Sequence, residues 1–594
     1  MILTNYLLGF IEDNAGLFSI PRLISGLAGC TDYVGYPTGL CQNLLTSNQP
    51  FMVIPAFLLA QMLHPVLAYN LIVLGGAALN FLFAFGFFKK LFGRFVAVLL
   101  ATIFLFSPYL SYQSRSHFDL IQFWPVIWFL ETLFFSKSRH KAVFLGLLLT
   151  LITGISNYLG YFTTLFTSIY LTFNFMVSAG KLSALKKNYP DVVKSAAVFA
   201  LSSLLFMAPY IRSNYFSPKA RIEESADSKA VNRPFEDFVT FSSRPWYYLL
   251  PSVDNPFFGG LSQNALDRFS NGGNYLTQNY FKAEHSASYL GWTNLILLAV
   301  GLAGRVLCRP TDGQESGTHP EDGKHPPTPQ TAAESASPPN LPALLITVIG
   351  LTILTMPPAI TVNGGTIYTP SYILFKVFPM FRVLARMGVL ILFLTLIFTG
   401  HGYLALIKLW ITKKMSRRVV RSVLLILVLF SIAEFFIPLK ITHIGTPPKI
   451  YTYIGTTDSL KSPITVYPYN KTNEALFWMT TYSQPLINPR TYENKGTNFA
   501  ASDFTKLLNT TNGLEKARYM GAKYLVYFYA DDKRESADFF ATTPLLTRID
   551  ELKEGNLGEE RIIYKPIDPI YLTFVRIAEA GSAVSNSAIL YKFR

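Results

Sequence analysis

Residues 66–88 read VLAYNLIVLGGAALNFLFAFGFF, and the six that follow read KKLFGR. At about 1.5 Å per residue, a helix over the first stretch is roughly 35 Å long, enough for the ~30 Å hydrocarbon core of a bilayer. It carries no charged side chain, and a basic cluster closes it. The same pattern recurs at 94–111, 119–135, 193–213, 286–304, 341–356, 384–407 and 421–438. The apolar stretch 141–178 is too long for one crossing and is interrupted at Ser156-Asn157-Tyr158-Leu159-Gly160-Tyr161, which predicts two helices joined by a tight turn. The expectation is an α-helical polytopic membrane protein of about ten crossings. Composition agrees: of 594 residues, 50% are hydrophobic and 15% aromatic, and the mean hydropathy of +0.30 excludes a soluble enzyme of ordinary make-up.

A net charge of +15 would point to nucleic acid in a soluble chain, so the placement of the positive charges decides their meaning. Lys89, Lys90 and Arg94 lie between the first two predicted spans, and Lys137, Arg139 and Lys141 between the third and fourth. Lys181, Lys186, Lys187 and Lys194 follow the fifth, and Lys413, Lys414, Arg417, Arg418 and Arg421 continue the series. Basic residues concentrated in alternate loops mark those loops as cytoplasmic. Residues 1–50, the loop 214–285, the segment 357–383 and the tail from 441 then lie outside a multi-pass protein of the plasma membrane. The charge is accounted for without nucleic acid.

Residues 1–50 form an outer amino-terminal loop. Its first eleven residues are apolar but too short to span, lack a basic region and a cleavage site, and read as the outer end of a first helix missing upstream. Pro50 to Leu63, ending at His64-Pro65, reads as a helix lying at the outer interface. Residues 51–440 hold the spans, with the outer loop 214–285 and a Pro-, Gly-, Ser- and Glu-rich stretch at 310–340 expected to be a disordered cytoplasmic linker. From 441 to 594, strand-like Ile464-Thr465-Val466-Tyr467, helix-like Leu514 to Met520, and strand-like runs at 523–528, 561–564 and 588–591 predict a C-terminal extracytoplasmic α/β domain. Cys30 and Cys41 fall in the outer loop, where a disulfide is permitted, and their spacing fits two free thiols nearly as well; Cys308 falls on the cytoplasmic side. Asn470-Lys471-Thr472 and Asn509-Thr510-Thr511 match the glycosylation sequon, a pattern short enough to arise by chance.

Chemistry-bearing residues are few and gather at the outer boundary. Glu12 and Asp13 follow an apolar stretch, where a carboxylate meets both water and a lipid headgroup; they fit a general base and also a solvated helix end. Ser114-Arg115-Ser116-His117-Phe118-Asp119 puts a guanidinium, an imidazole and a carboxylate before a span, suited to a polar headgroup or to interfacial capping. Arg382 and Arg386, four apart, would share a helix face at the depth of lipid phosphates, and two forked cations suit a phosphate or pyrophosphate. The long outer loop adds Arg221, Glu223, Glu224, the aromatic run Trp246-Tyr247-Tyr248, and Glu284-His285 at its close. A carboxylate-lined outer site is compatible with a divalent metal, but no ligand spacing demands one.

The order of these features resembles the GT-C superfamily of membrane glycosyltransferases, and within it bacterial proteins of the YfhO type. Glu12-Asp13 corresponds to an acidic pair after a first helix, and Tyr36-Pro37-Thr38-Gly39 is similar to a Tyr-Pro-x-Gly loop before an interfacial helix. Pro65-Val66-Leu67-Ala68-Tyr69-Asn70 follows. His117-Phe118-Asp119-Leu120 leads into a Trp-Pro span, and Glu284 with Tyr289-Leu290-Gly291 closes the long loop. Phe381-Arg382-Val383-Leu384-Ala385-Arg386 resembles a Phe-Arg-x-x-Ala-Arg entry to a late helix. The resemblance implies a sugar taken from a polyprenyl-phosphate carrier and passed, with inversion, to an extracytoplasmic glycan or lipid-linked acceptor. It implies Asp13 as base with Glu12 second, Arg382 and Arg386 on the carrier phosphate, and Arg115, His117, Asp119, Glu284 and Tyr36 around the substrate. A transporter or flippase of lipid-linked sugars is the main rival, disfavoured by the scarcity of mid-span charge, Glu131 and Glu434 lying near helix ends. A non-catalytic glycan-binding membrane protein is the third reading.

Overall fold

The structure is a computed structural model that describes residues 4, 6–9, 18–24, 26–37, 39–177, 181–215, 233–270, 280–307, 339–362, 365–444, 447, 449–457, 462–489, 501–528, 535–553, 575–579 and 587–593. Apolar helices dominate its first three quarters: α1 (Pro50–Met62), α2 (Pro65–Leu105), α3 (Pro108–Ser116), α4 (Trp124–Phe135), α5 (Lys141–Ile155), α6 (Asn157–Val177) and α7 (Lys181–Tyr215). After the short α8 (Phe235–Thr240), α9 (Gly259–Ser270) and α10 (Lys282–His285) come α11 (Trp292–Leu307), α12 (Leu341–Leu354), α13 (Ser371–Val377), α14 (Gly388–Thr412) and α15 (Arg417–Phe435). Among the described residues, four helical stretches are long and apolar enough to cross a membrane: Pro65–Leu105, Tyr189–Arg212, Lys282–Ala303 and Leu384–Thr412. Pro50–Met62, Trp124–Phe135, Lys141–Ile155 and Leu341–Leu354 are apolar but shorter.

Local chemistry explains the breaks. Gly93, with φ 78° and ψ 174°, interrupts α2 beside the exposed Lys89 and Lys90, so the helix is two pieces meeting at a basic joint. Ser156 adopts extended angles between α5 and α6, where the sequence predicted a turn. The predicted spans 94–111 and 119–135 are built differently. Pro108 and Pro125 each sit in the first turn of a helix, where a missing N–H costs nothing, so the chain restarts twice and leaves 117–123 outside any helix. That non-helical stretch becomes one wall of the site described below.

α14 runs through the centre, buried at every residue from Gly388 to Gly400. Phe393 meets Phe87, Phe88 and Phe104 with ring centroids 5.0–5.2 Å apart. α11 crosses α14 at backbone contact. A Cβ on Gly402 would lie 2.0 Å from the Leu297 carbonyl oxygen, and one on Gly301 would lie 2.8 Å from the Gly402 nitrogen.

The tail carries a four-stranded mixed sheet in the order β7 (Ile464–Tyr467), β8 (Tyr524–Phe528), β11 (Ser587–Phe593), β9 (Leu546–Lys553), with β7 and β8 parallel. A second sheet joins β1 (Tyr6–Leu7), β6 (Leu439–His443) and β10 (Val575–Glu579), drawing the amino terminus to the end of α15. The amino-terminal loop is woven into the tail. Ile20, Ile24, Val34 and Leu44 share a core with Ile450, Ile454, Ile464 and Val466, and Gly35 N–H donates to the Leu486 carbonyl at 2.9 Å. Cys30 and Cys41 face each other across β2 (Ala28–Thr31) and β3 (Leu40–Asn43) as a disulfide. The sequence left that pairing open.

Candidate active site

Three chain segments far apart in sequence converge at one end of the helices. His117 caps α3, held by its N–H donating to the Gln113 carbonyl at 2.8 Å. Glu284 lies on α10. Arg386 lies on a 3-10 turn, Leu384–Met387, whose Ala385 N–H donates to the Phe241 carbonyl at 3.1 Å. The three side chains meet: Arg386 donates through Nε (3.2 Å) and Nη2 (2.5 Å) to Glu284 Oε1, and Nη2 reaches His117 Nε2 at 3.4 Å. Because a guanidinium only donates, that last contact needs a neutral imidazole with its proton on Nδ1. The guanidinium carbon stands 5.1 Å from the centre of the Tyr158 ring.

The cluster is incompletely satisfied. Glu284 and Arg386 are each 8% exposed, yet Glu284 Oε2 is buried with no hydrogen-bond partner among the described residues. One turn before His117, both amide atoms of the fully buried Gln113 are likewise unpartnered. Arg386 spends one edge of its fork on Glu284, and no hydrogen bond from Nη1 occurs among the described residues. Unpaired buried polar atoms are costly, so such a corner suits a polar ligand.

A second charged knot lies beside it. Asp254 accepts from Lys282 Nζ through Oδ1 (2.8 Å) and from the Tyr112 hydroxyl through Oδ2 (2.8 Å), with Arg115 Nη1 at 3.8 Å. Burial pushes the Asp254 carboxyl upward, but the Lys282 and Tyr112 hydrogen bonds and the nearby cations outweigh it and hold the group below its usual range. Arg115 also donates to the Pro438 carbonyl at 2.9 Å and lies over the Tyr112 ring. It thus ties α3 to the entry of β6.

The other candidates fall elsewhere. Arg382 and Arg386 do not share a helix face. Phe381-Arg382-Val383 is non-helical and α14 begins only at Gly388, so Arg382 turns away to pair with Asp237 on α8. Asp119 accepts from Gln49 Nε2 at 3.4 Å, at the start of α1. Tyr36 packs against the tail core beside Gly521. Glu12, Asp13, Arg221, Glu223 and Glu224 lie outside the described residues, as do Cys308 and most of the segment 310–340. Among the described residues no group of three or more His, Cys, Asp or Glu gathers to hold a metal ion. Sequence reasoning passed over Asp254, Lys282, Tyr112, Asp237 and Tyr158. Only Tyr158 carried a signal, standing in the polar and aromatic interruption of an apolar run.

No protein-family model matches the sequence, and no curated protein matches it. Solved structures it resembles include the oligosaccharyltransferase of Archaeoglobus fulgidus in its apo form, at 14% identity over 89% of this chain and 67% of that one, with a TM-score of 0.44. The archaeal oligosaccharyltransferase AglB of the same organism, in complex with an inhibitory peptide and a dolichol-phosphate, matches at 11% identity over 88% of this chain and 66% of that one, TM-score 0.39. Arabinofuranosyltransferase AftD from mycobacteria matches at 12% identity over all of this chain but 40% of that one, TM-score 0.47. At such identities and scores no activity transfers from these proteins to this chain.

Proposed function

We propose that the chain is a membrane glycosyltransferase, moving a sugar from a polyprenyl-phosphate carrier to an extracytoplasmic glycan or lipid-linked acceptor. The observation that carries this reading is the meeting of His117, Glu284 and Arg386. Each stands in a separate motif of the GT-C resemblance, and together they leave a buried carboxylate oxygen and one edge of a guanidinium unclaimed. Arg386 Nη1 is the donor for a carrier phosphate oxygen, with His117 beside it. Glu284 Oε2 accepts from a sugar hydroxyl.

The base remains Asp13, with Glu12 second. The described residues on either side support this. Gly9 lies against the Arg115 carbonyl, and Phe18 packs edge-on against Phe118 and Tyr69 with centroids 5.4 and 5.5 Å away. Gly9 and Phe18, the described residues nearest Glu12 and Asp13 in sequence, thus both contact the 115–118 corner. In the scheme, the carboxylate takes the acceptor hydroxyl proton as the oxygen attacks the anomeric carbon. The bond from that carbon to the carrier phosphate breaks with its electron pair going to the phosphate oxygen, and the guanidinium stabilises the charge that develops there. A single displacement inverts the centre.

The test uses the purified chain in proteoliposomes with a panel of polyprenyl-phosphate sugars and a membrane-glycan extract as acceptor. Arg386→Lys keeps the charge but loses the fork, and is expected to lower kcat/KM for the donor about 100-fold. Donor crossing the bilayer without sugar transfer would turn the assignment to transport.

A further inference from the structure

α12 is too short to cross a bilayer by itself. Its 14 residues span about 21 Å against a hydrocarbon core of ~30 Å. One end is fixed by polar contacts, because Asn340 caps the helix and donates to Asn174 Oδ1 at 3.0 Å. The shortfall of about 9 Å therefore falls at the other end, where the Thr355 carbonyl accepts from Ser243 N–H, two residues on from the Phe241 carbonyl that accepts from Ala385.

The chain at that end is apolar on its outside. β4 (Ala359–Val362) and β5 (Gly365–Tyr368) form a hairpin leading into α13. Ile373 and Val377, one turn apart on α13, are 63% and 57% exposed, while Ser371 and Leu374 are buried. Ile367, Tyr368, Phe378 and Met380 extend the exposed surface. Ile346, Ile349 and Ile353 expose a stripe on α12, whose Leu354 packs against the cluster that holds Leu374 of α13. Lys376 lies 5.3 Å from the Tyr372 ring, the arrangement of an interfacial lysine whose stem follows apolar surface while its amine reaches phosphates. The root is rigid: Tyr161 of α6 stacks on Phe381 at 4.3 Å and meets Phe378 at 5.4 Å.

We propose that residues 365–380 are seated in the lipid leaflet on the site side, completing the crossing that α12 leaves short. The occupant of this face is lipid, because α13 packs at the end of an apolar helix that exposes a stripe of its own, supplies the missing length, and carries the aromatic and lysine composition of a membrane interface. Seated there, the element sets the depth of Arg382 and Arg386, which follow it directly. This inference requires only a membrane and stands apart from the proposed reaction.

Spin labels report it in the full chain. With Cys308→Ser and the Cys30–Cys41 disulfide intact, Ile367→Cys, Ile373→Cys and Val377→Cys are labelled in phosphatidylcholine and phosphatidylglycerol vesicles. Leu204→Cys on the exposed face of α7 serves as lipid reference and Tyr519→Cys in the tail as water reference. The expected result is the order seen at 204, with oxygen colliding more than nickel-EDDA at 367, 373 and 377, the reverse of 519. Ready access of nickel-EDDA at these positions would overturn the proposal. So would protection from both reagents, which would place a second copy or another protein on the face; three independent positions guard against one variant failing to fold.

Discussion

Arg386 and Glu284 hold each other in a largely buried corner, and breaking such a pair leaves one charge buried alone. Arg386→Ala should cost about 3–5 kcal/mol, read as a lowered unfolding temperature in detergent, and Arg386→Ala with Glu284→Gln should recover part of it. If the single variant unfolds like the wild type, the pair is not buried as described. Asp254 gives a pH signature. Its pKa is lowered in the fold, so its stabilising contribution is complete above the ordinary 3.8 and is lost as pH falls through the depressed value. Unfolding temperature should drop on acidification below pH 3.8, and Asp254→Asn should flatten that limb; an unchanged limb would contradict the ion-paired role. His117, Glu284 and Arg386 were legible in the sequence because polar groups stand out in an apolar chain. Lys282 and Asp254 were not, since their pairing joins positions 28 apart in the long outer segment and exists only in the fold. The spacing of Arg382 and Arg386 misled because a four-residue step means one face only if the helix has already begun.

At the level of elements, the crossing of α11 and α14 depends on the absence of side chains. Gly402→Leu should destabilise by more than Gly402→Ala, since even a methyl group there meets the Leu297 carbonyl; overpacking of this kind costs about 1–3 kcal/mol or more. Thermal unfolding of the two variants checks the order, and equal stability would contradict the close crossing. The breaks at Gly93 and Ser156 were readable, one from the basic cluster Lys89, Lys90 and Arg94 between two apolar stretches and the other from a polar interruption. The double restart at Pro108 and Pro125 was not, because hydropathy averages over a proline that changes direction without changing polarity. The loop that holds His117 was expected before residue 119, and the miss is that it runs on to Phe123.

Across the whole molecule, the amino-terminal loop and the tail are one packing unit although more than 400 residues separate them. A composition change at 441 marks where the tail begins, but nothing in sequence says that Ile20, Ile24, Val34 and Leu44 complete its core. The tail should therefore be soluble and protease-resistant when residues 18–49 are fused to it and poorly folded without them, as limited proteolysis would show; equal resistance would contradict the shared core. The same weave brings Gly9 against Arg115 and Phe18 against Phe118, beside the corner where Arg386, Glu284 and His117 meet. The measurement that tests the proposed reaction most directly is transfer of radiolabelled sugar from polyprenyl-phosphate donors by the reconstituted chain, beside Asp13→Ala. The account predicts transfer by the native chain and a loss of at least about 100-fold in the variant, with donor binding retained. Equal transfer by both chains, or none by the native chain across a broad donor panel while donor still binds, would contradict it.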